Sequence, residues 1–340
     1  MDPVVLGSDT PPAPELTSLE VAEPATPAAA VRTVGKSPTR IALARLRRDK
    51  VAIWCAGIFG AFILIAIFAP LLAKIEGQSP TELHQDLLDA YGLPTIGVTG
   101  DHWFGVEPRL GRDLFARWVY GARPSLIVAT IATVISTLTG VVIGLVAGFV
   151  GGWVDRVLSW VTDFVLSLPY LLFAIATSAV LVSQFGGAED IPPEEIAQIR
   201  FFSLIAVLSF FGWANLARLI RGQVLSLRER EFIAAARVLG IPTWQVLFKE
   251  LLPNLVAQIV VSVSLALPSY IVAEAGLTFL GVGLIEPTPS WGVTVAAAQN
   301  YYRVDPIYLW LPVLGITILV LALSLLGDSI RDAFDPRTRH

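Results

Sequence analysis

Few groups in this sequence are placed to do chemistry. Val34 to Ser37 read VGKS, like the end of a phosphate-binding loop whose Lys and Ser would reach phosphates and a metal ion. That loop needs a glycine five residues before Gly35, where Ala30 stands, and a preceding strand, which the Pro- and Ala-rich flank does not offer. His84, His102 and His340 are scattered over loop and tail, so they make no metal-ligand pattern. Cys55 is the single cysteine, which excludes a disulfide framework and a cysteine metal site within one chain. No Ser/His/Asp or paired-carboxylate constellation appears, so catalysis is not expected of this chain.

What remains is a set of polar and bend-forming residues inside apolar runs, and the runs explain them. The 340 residues are 54% hydrophobic and 15% charged, against roughly 25% charged in an ordinary soluble domain. Mean hydropathy is +0.68. The class is an all-α integral membrane protein. Arg40, Arg45, Arg47, Arg48 and Lys50 form a basic collar before an apolar run of spanning length, which puts the amino end of that span in the cytoplasm. Further runs follow at 124–150, 156–182, 201–221, 255–281 and 305–327.

Charge placement tests this order, because Lys and Arg favour cytoplasmic loops. Residues 183–200 carry Glu189, Asp190, Glu194 and Glu195 against Arg200, the balance of an outer loop. Residues 222–254 carry Arg228, Arg230, Arg237 and Lys249, with Arg218 and Arg221 just before, the balance of an inner one. Net charge, −4, is informative only through this placement, and no nucleic-acid partner is expected. Six spans then put both termini in the cytoplasm. The chain divides into a disordered cytoplasmic tail (1–38), the collar and first span (39–73) and an extracytoplasmic loop (74–123). A five-span core (124–327) containing the inner loop 222–254 follows, then a cytoplasmic tail (328–340). The amino end lacks the basic start, apolar core and cleavage site of a signal peptide.

Within the second span, Gly140, Gly144 and Gly148 share one helix face, where missing side chains admit another helix backbone. The same smooth face could slide during a conformational change. Pro169 and Pro268 remove backbone hydrogen bonds in the third and fifth spans and invite kinks suited to a pathway. Ser269, Tyr270 and Glu274 add polar groups along the fifth span. Glu274 either faces that pathway or pairs with a neighbouring helix or the outer interface. An ion-coupled carrier would need an inverted repeat and several midplane charges, which are not seen.

Between the fourth and fifth spans lies REFIAAARVLGIPTWQVLFKELLPN, Arg230 to Asn254. Phe232, Ala235, Ala236 and Leu239 fall at helical spacing, giving an apolar face with a flat middle. Gly240 suits a helix end, and Pro242 suits the first turn of a second helix carrying Trp244, Leu247, Phe248 and Leu251. The spacing predicts two short amphipathic helices at a sharp bend, a docking surface for another protein.

The stretch Ala234-Ala235-Ala236, Gly240, Glu250 and Leu252-Pro253 resembles the Glu-Ala-Ala…Gly…Leu-Pro loop of bacterial ABC importer permeases, with Ala234 in place of the Glu and Glu250 in place of an apolar residue. His102 to Leu126, Gly148 to Ala176, Gly276 to Gly292 and Leu326 to Arg337 are similar to segments of the dipeptide/oligopeptide/nickel permease family. His102 to Leu126 departs from the pattern by one extra residue between Gly105 and Gly111 and by Ala116 where a Ser is usual. The resemblance implies the six-helix fold of a type I ABC importer permease with a cytoplasmic coupling-helix hairpin, in the bacterial cytoplasmic membrane. It also implies a second homologous permease, two ATP-binding cassette ATPase subunits that alone bind ATP and Mg, and an extracytoplasmic substrate-binding protein. The substrates implied are peptides or similar small solutes, the family also moving nickel chelates, opines and oligosaccharides. Coupling would fall to Ala234, Ala235, Ala236, Gly240 and Pro253. Glu231, nearly one turn before Ala234 and on roughly the same side, is expected to replace the missing carboxylate with help from Arg237.

Overall fold

A computed structural model describes residues 38–184 and 192–335. The expectations for the amino-terminal tail, for Glu189 and Asp190, and for Arg337 and His340 lie outside the described residues. Helix α1 (Pro38–Leu46) packs on the end of α11 (Pro306–Phe334). There Arg45 Nη1 donates to Ala333 O at 3.3 Å and Asp335 O at 3.2 Å. Helix α2 (Lys50–Glu76) starts on an Asp49 cap, whose Oδ1 accepts from Val51 N at 2.8 Å, and stops at Gly77 with φ 90°.

Helix α3 (Leu114–Val150) begins ten residues before the expected second span. The reason is Asp113, whose Oδ1 caps the helix by accepting from Ala116 N at 2.7 Å. Its 37 residues make a rod of about 55 Å, well beyond a hydrocarbon core of about 30 Å. Gly151 and Gly152, both at positive φ, turn the chain into α4 (Gly152–Ser167).

The third span differs most from expectation. Instead of one kinked helix, α4 and α5 (Tyr170–Gln184) meet at 85°. Leu168 is extended at ψ 131°, as a residue before proline prefers, and Pro169 has no N–H to carry the helix through. Five helices among the described residues are long and apolar enough to cross a membrane, and the bent pair makes a sixth if counted as one span.

Helix α6 (Pro193–Leu227) lies along α3. A Cβ on Gly140 would stand 2.8 Å from Trp213 O, one on Gly144 2.7 Å from Ala217 O, and one on Gly148 2.7 Å from Val224 Cβ. The glycine face is therefore filled by this chain's own fourth span.

Helix α7 (Glu231–Val238) ends at Gly240, φ 71°. The chain resumes in α8 (Thr243–Gln245), widens into a π turn (Val246–Leu251) and runs on as α9 (Leu252–Phe279). The second half of the hairpin is thus not a separate helix but the amino-terminal end of the fifth span. Pro242 caps it from outside, with extended ψ 143°, rather than occupying its first turn. Short α10 (Trp291–Ala298), capped by Ser290, precedes α11. Trp291 Nε1 donates to Trp118 O at 3.0 Å, tying α10 to α3 in a core with Phe62, Leu126, Ile271 and Leu319.

Candidate functional site

Ile233 and Ala236 face inward on α7, 0% and 5% exposed, and join Val141, Leu145, Ile220, Val224, Val246 and Leu251 in one core. Such burial fixes the hairpin on α3 and α6. It also corrects the expected docking face: Ala236 packs against its own chain, while Phe232, Ala234, Ala235, Val238, Leu239 and Gly240 are exposed. Val238 is 87% exposed and Leu239 77%. On the other limb the π turn adds a residue to the helical turn. Trp244 and Phe248 consequently point outward while Val246 and Leu251 point inward, so the expected apolar stripe is split. Pro253 is exposed below it.

The charges sort themselves similarly. Arg237 lies over the Phe149 ring at 4.9 Å, a cation–π contact that pins α7 to the end of α3. Arg228 donates to Gly148 O at 3.1 Å and to Glu229 at 3.0 Å. Glu231 is exposed and makes no ion pair among the described residues, so its carboxylate is open to a partner.

The five pathway residues are not brought together. Pro169 sits exposed at the α4–α5 break. Ser269 opens, with Pro268, Leu265, Val272, Val320 and Ser324, onto a cavity of about 500 Å³ between α9 and α11. Tyr270 turns to α3, its hydroxyl 2.8 Å from Ser136 Oγ, in space left by Gly212. Glu274 is 0% exposed and accepts from Thr278 Oγ1 at 3.1 Å; Thr278 Oγ1 in turn accepts from Leu284 N at 3.1 Å. Glu274 is thus held on its own helix by Thr278, and its second carboxylate oxygen has no partner among the described residues. We expect Glu274→Gln to assemble normally, whereas Glu274→Leu strands the Thr278 hydroxyl and lowers stability by about 1–3 kcal/mol. Thermal denaturation of the two purified variants decides this, and equal melting temperatures would remove the role.

One cluster was not legible as a site. Glu107, 1% exposed, pairs with Arg112 and, at 3.3 Å, with Arg117, and accepts from the Tyr308 hydroxyl at 3.2 Å. Glu286 receives Arg112 through two bonds of 3.0 Å and Arg117 at 2.6 Å. Burial works to raise the Glu286 carboxyl, but the Arg117 and Arg112 guanidiniums outweigh it and hold it below the ordinary carboxylate value. His102 Nδ1 meets Asp113 Oδ2 at 2.9 Å alongside. In sequence, Arg112 and Arg117 read only as mixed loop charge, since their partners lie up to 174 residues away.

A bundle of spanning helices with an exposed, firmly rooted hairpin at one end defines a polytopic membrane transport subunit. Residues 140–340 match the model of the binding-protein-dependent transport system inner membrane component, and residues 37–90 match the N-terminal TM domain of oligopeptide transport permease C. The chain belongs to this family of importer permeases. It is 35% identical to the dipeptide transport system permease protein DppC of Alkalihalophilus pseudofirmus, across 93% of this chain and 96% of that one. It is 35% identical to the oligopeptide transport system permease protein OppC of Bacillus subtilis (88% and 89% covered). Identity to the glutathione transport system permease protein GsiD of Salmonella typhimurium is 36% (89% and 92% covered). A solved chain of the MetNI methionine ABC transporter, in inward facing conformations, has the same fold at TM-score 0.50 and 16% identity, across 64% of this chain and 96% of that one. The protein is therefore a translocation subunit of an ABC importer.

Proposed function

We propose that this chain forms half of a translocation pathway for peptides or similar small solutes, and that the exposed face from Glu231 to Phe248 docks in an ATPase subunit. The observation that carries the docking is the division of α7: Ile233 and Ala236 root it in the core, while Phe232, Ala235, Val238 and Leu239 offer an apolar face to a partner. Glu231 supplies the polar contact that Ala234 lacks. ATP and Mg bind only in two partner ATPases, a second permease of like fold completes the pathway, and an extracytoplasmic binding protein delivers substrate. The peptide class is supported by the relatives, whose names specify dipeptide, oligopeptide and glutathione transport. Uptake of defined peptides by a deletion strain, with and without this chain restored, tests that class.

The docking is tested in the reconstituted complex. No atom lies within 4 Å of a Cβ built on Gly240, so bulk there projects from the hairpin, with positive φ adding about 1–2 kcal/mol of strain. Gly240→Trp is expected to abolish transport and substrate-stimulated ATP hydrolysis together while the binding protein keeps its affinity. Glu231→Ala weakens coupling, and Ala234→Glu in that background restores it. Normal coupling in Glu231→Ala would remove Glu231 from the interface.

The termini are read as cytoplasmic. The Lys/Arg bias supports this, and the Arg45 bonds to the end of α11 support placing both described ends on one side. Reporter fusions near residues 190 and 240 are expected to report opposite sides; the same side at both would overturn the topology.

A further inference from the structure

Pro70 stands inside α2, where it cannot donate to the carbonyl four residues earlier, and that carbonyl is Ala66 O. Arg123 of α3 fills the gap: Nε donates to Ala66 O at 2.5 Å and Nη2 to Ile67 O at 3.2 Å. A neutral amide would suffice for such a cap. A guanidinium brings a positive charge and five N–H groups, three of which are left without a partner among the described residues. No carboxylate pairs with it there, and its one other contact is the Tyr120 ring at 5.4 Å.

This cation stands at one end of an apolar trough of about 640 Å³ between α2 and α3. Ala66 and Leu126 form the floor, each 8% exposed, and Ile63, Ile67, Ile127 and Ile131 form the rims, 37–57% exposed. From Arg123 the trough runs along α3 toward Ile131, about 12 Å at the helical rise. Arg123 meets Ala66, 16 positions after Lys50 in α2, about 24 Å along that helix from the basic collar and so toward the far edge of a hydrocarbon core of about 30 Å. The charge thus sits toward the interface at the α3 amino end, within reach of a headgroup, and the trough descends into hydrocarbon, the polarity of a lipid in that leaflet. A partner helix laid here would have to bring its own carboxylate or carbonyl to the guanidinium, or leave that charge unpaired in apolar surroundings at high cost.

We propose that this trough holds one anionic phospholipid, its phosphodiester on the Arg123 guanidinium and an acyl chain between α2 and α3. On the topology read above, which this assignment of leaflet rests on, the lipid belongs to the outer leaflet. It locks the first span to the second through a contact that neither helix makes alone.

The test is native mass spectrometry of the assembled importer, taken from nanodiscs of equal phosphatidylglycerol and phosphatidylcholine. Wild type is expected to retain phosphatidylglycerol over phosphatidylcholine. Arg123→Gln keeps a donor for Ala66 O but removes the charge, and Ile127→Trp fills the trough while leaving Arg123 and both carbonyl bonds in place. Arg123→Gln is expected to lower phosphatidylglycerol retention about tenfold, as loss of a charge-assisted contact does, and Ile127→Trp to lower it by excluding the acyl chain while the charge stays. Undiminished retention in either variant, equal retention of the two lipids by wild type, or oxidative disulfide capture of a cysteine-substituted second permease by Ile127→Cys would each overturn the proposal. Retention is blind to sidedness, so a reversed topology would appear in the reporter fusions and leave this measurement unchanged.

Discussion

Substitution of Gly144 by leucine is expected to leave no assembled transporter in the membrane. A Cβ there would stand 2.7 Å from Ala217 O and 2.8 Å from Ile220 Cβ, and the first of these is backbone that cannot rotate away. Overpacking a core typically costs about 1–3 kcal/mol when side chains can yield. Here relief requires parting α3 from α6, and the glycines one turn to either side hold the same close approach, so the loss should exceed that range. Gly222→Leu is the matched control, since no atom lies within 4 Å of a Cβ built on Gly222 of α6. Co-purification of the complex reads the outcome. Normal assembly of Gly144→Leu would mean that the two helices do not hold this contact.

The second large effect belongs to the charge cluster. Arg117→Met leaves Glu107, whose side chain is 1% exposed, with one cation fewer, and withdraws a partner from Glu286. Breaking a buried pair from one side costs about 3–5 kcal/mol, because the remaining charge keeps its desolvation penalty. Adding Glu107→Gln to Arg117→Met is expected to recover part of the loss, since two neutral groups replace one uncompensated charge. A double-mutant cycle in thermal denaturation measures the coupling. Arg218→Met, whose pair with Asp163 is 57% and 65% exposed, is expected to cost under about 1 kcal/mol; equal losses from Arg117→Met and Arg218→Met would contradict the burial argument. The pH sign follows from Glu286, whose folded value is depressed. Its contribution is complete above the ordinary carboxylate range and is lost as pH falls through the depressed value.

The features legible in the sequence are those that local chemistry determines. The glycine spacing announced a close helix contact, Pro169 a bend, and Gly240 a chain reversal. The partners were not legible: nothing local says that Gly144 meets Ala217 or that Arg112 reaches Glu286 across 174 residues. The inward and outward halves of the hairpin were partly misread for a related reason. Helical spacing treats Ala235 and Ala236 as one face, but the core chooses Ala236 with Ile233, and the π turn moves Trp244 and Phe248 away from Leu251. Arg123 was passed over because a lone arginine at a span boundary looks like an interface charge until Pro70 is seen to have freed a carbonyl opposite it.

From Thr243 to Phe279 the chain is helical without interruption, 37 residues or about 55 Å. A rod of that kind acts as a lever. A tilt imposed at Trp244 and Phe248 is not absorbed in a loop but appears at the far end, beside the turn at Gly281 and Gly283 that Thr278 fastens. Compliance along the shaft is concentrated at three places: the π turn, which sets the angular phase between hairpin and span, and Pro253 and Pro268, at each of which one ladder bond is missing. Deleting Glu250 would therefore rotate the exposed face by about 100° about the shaft, re-aiming it while keeping every residue from Glu231 to Phe248.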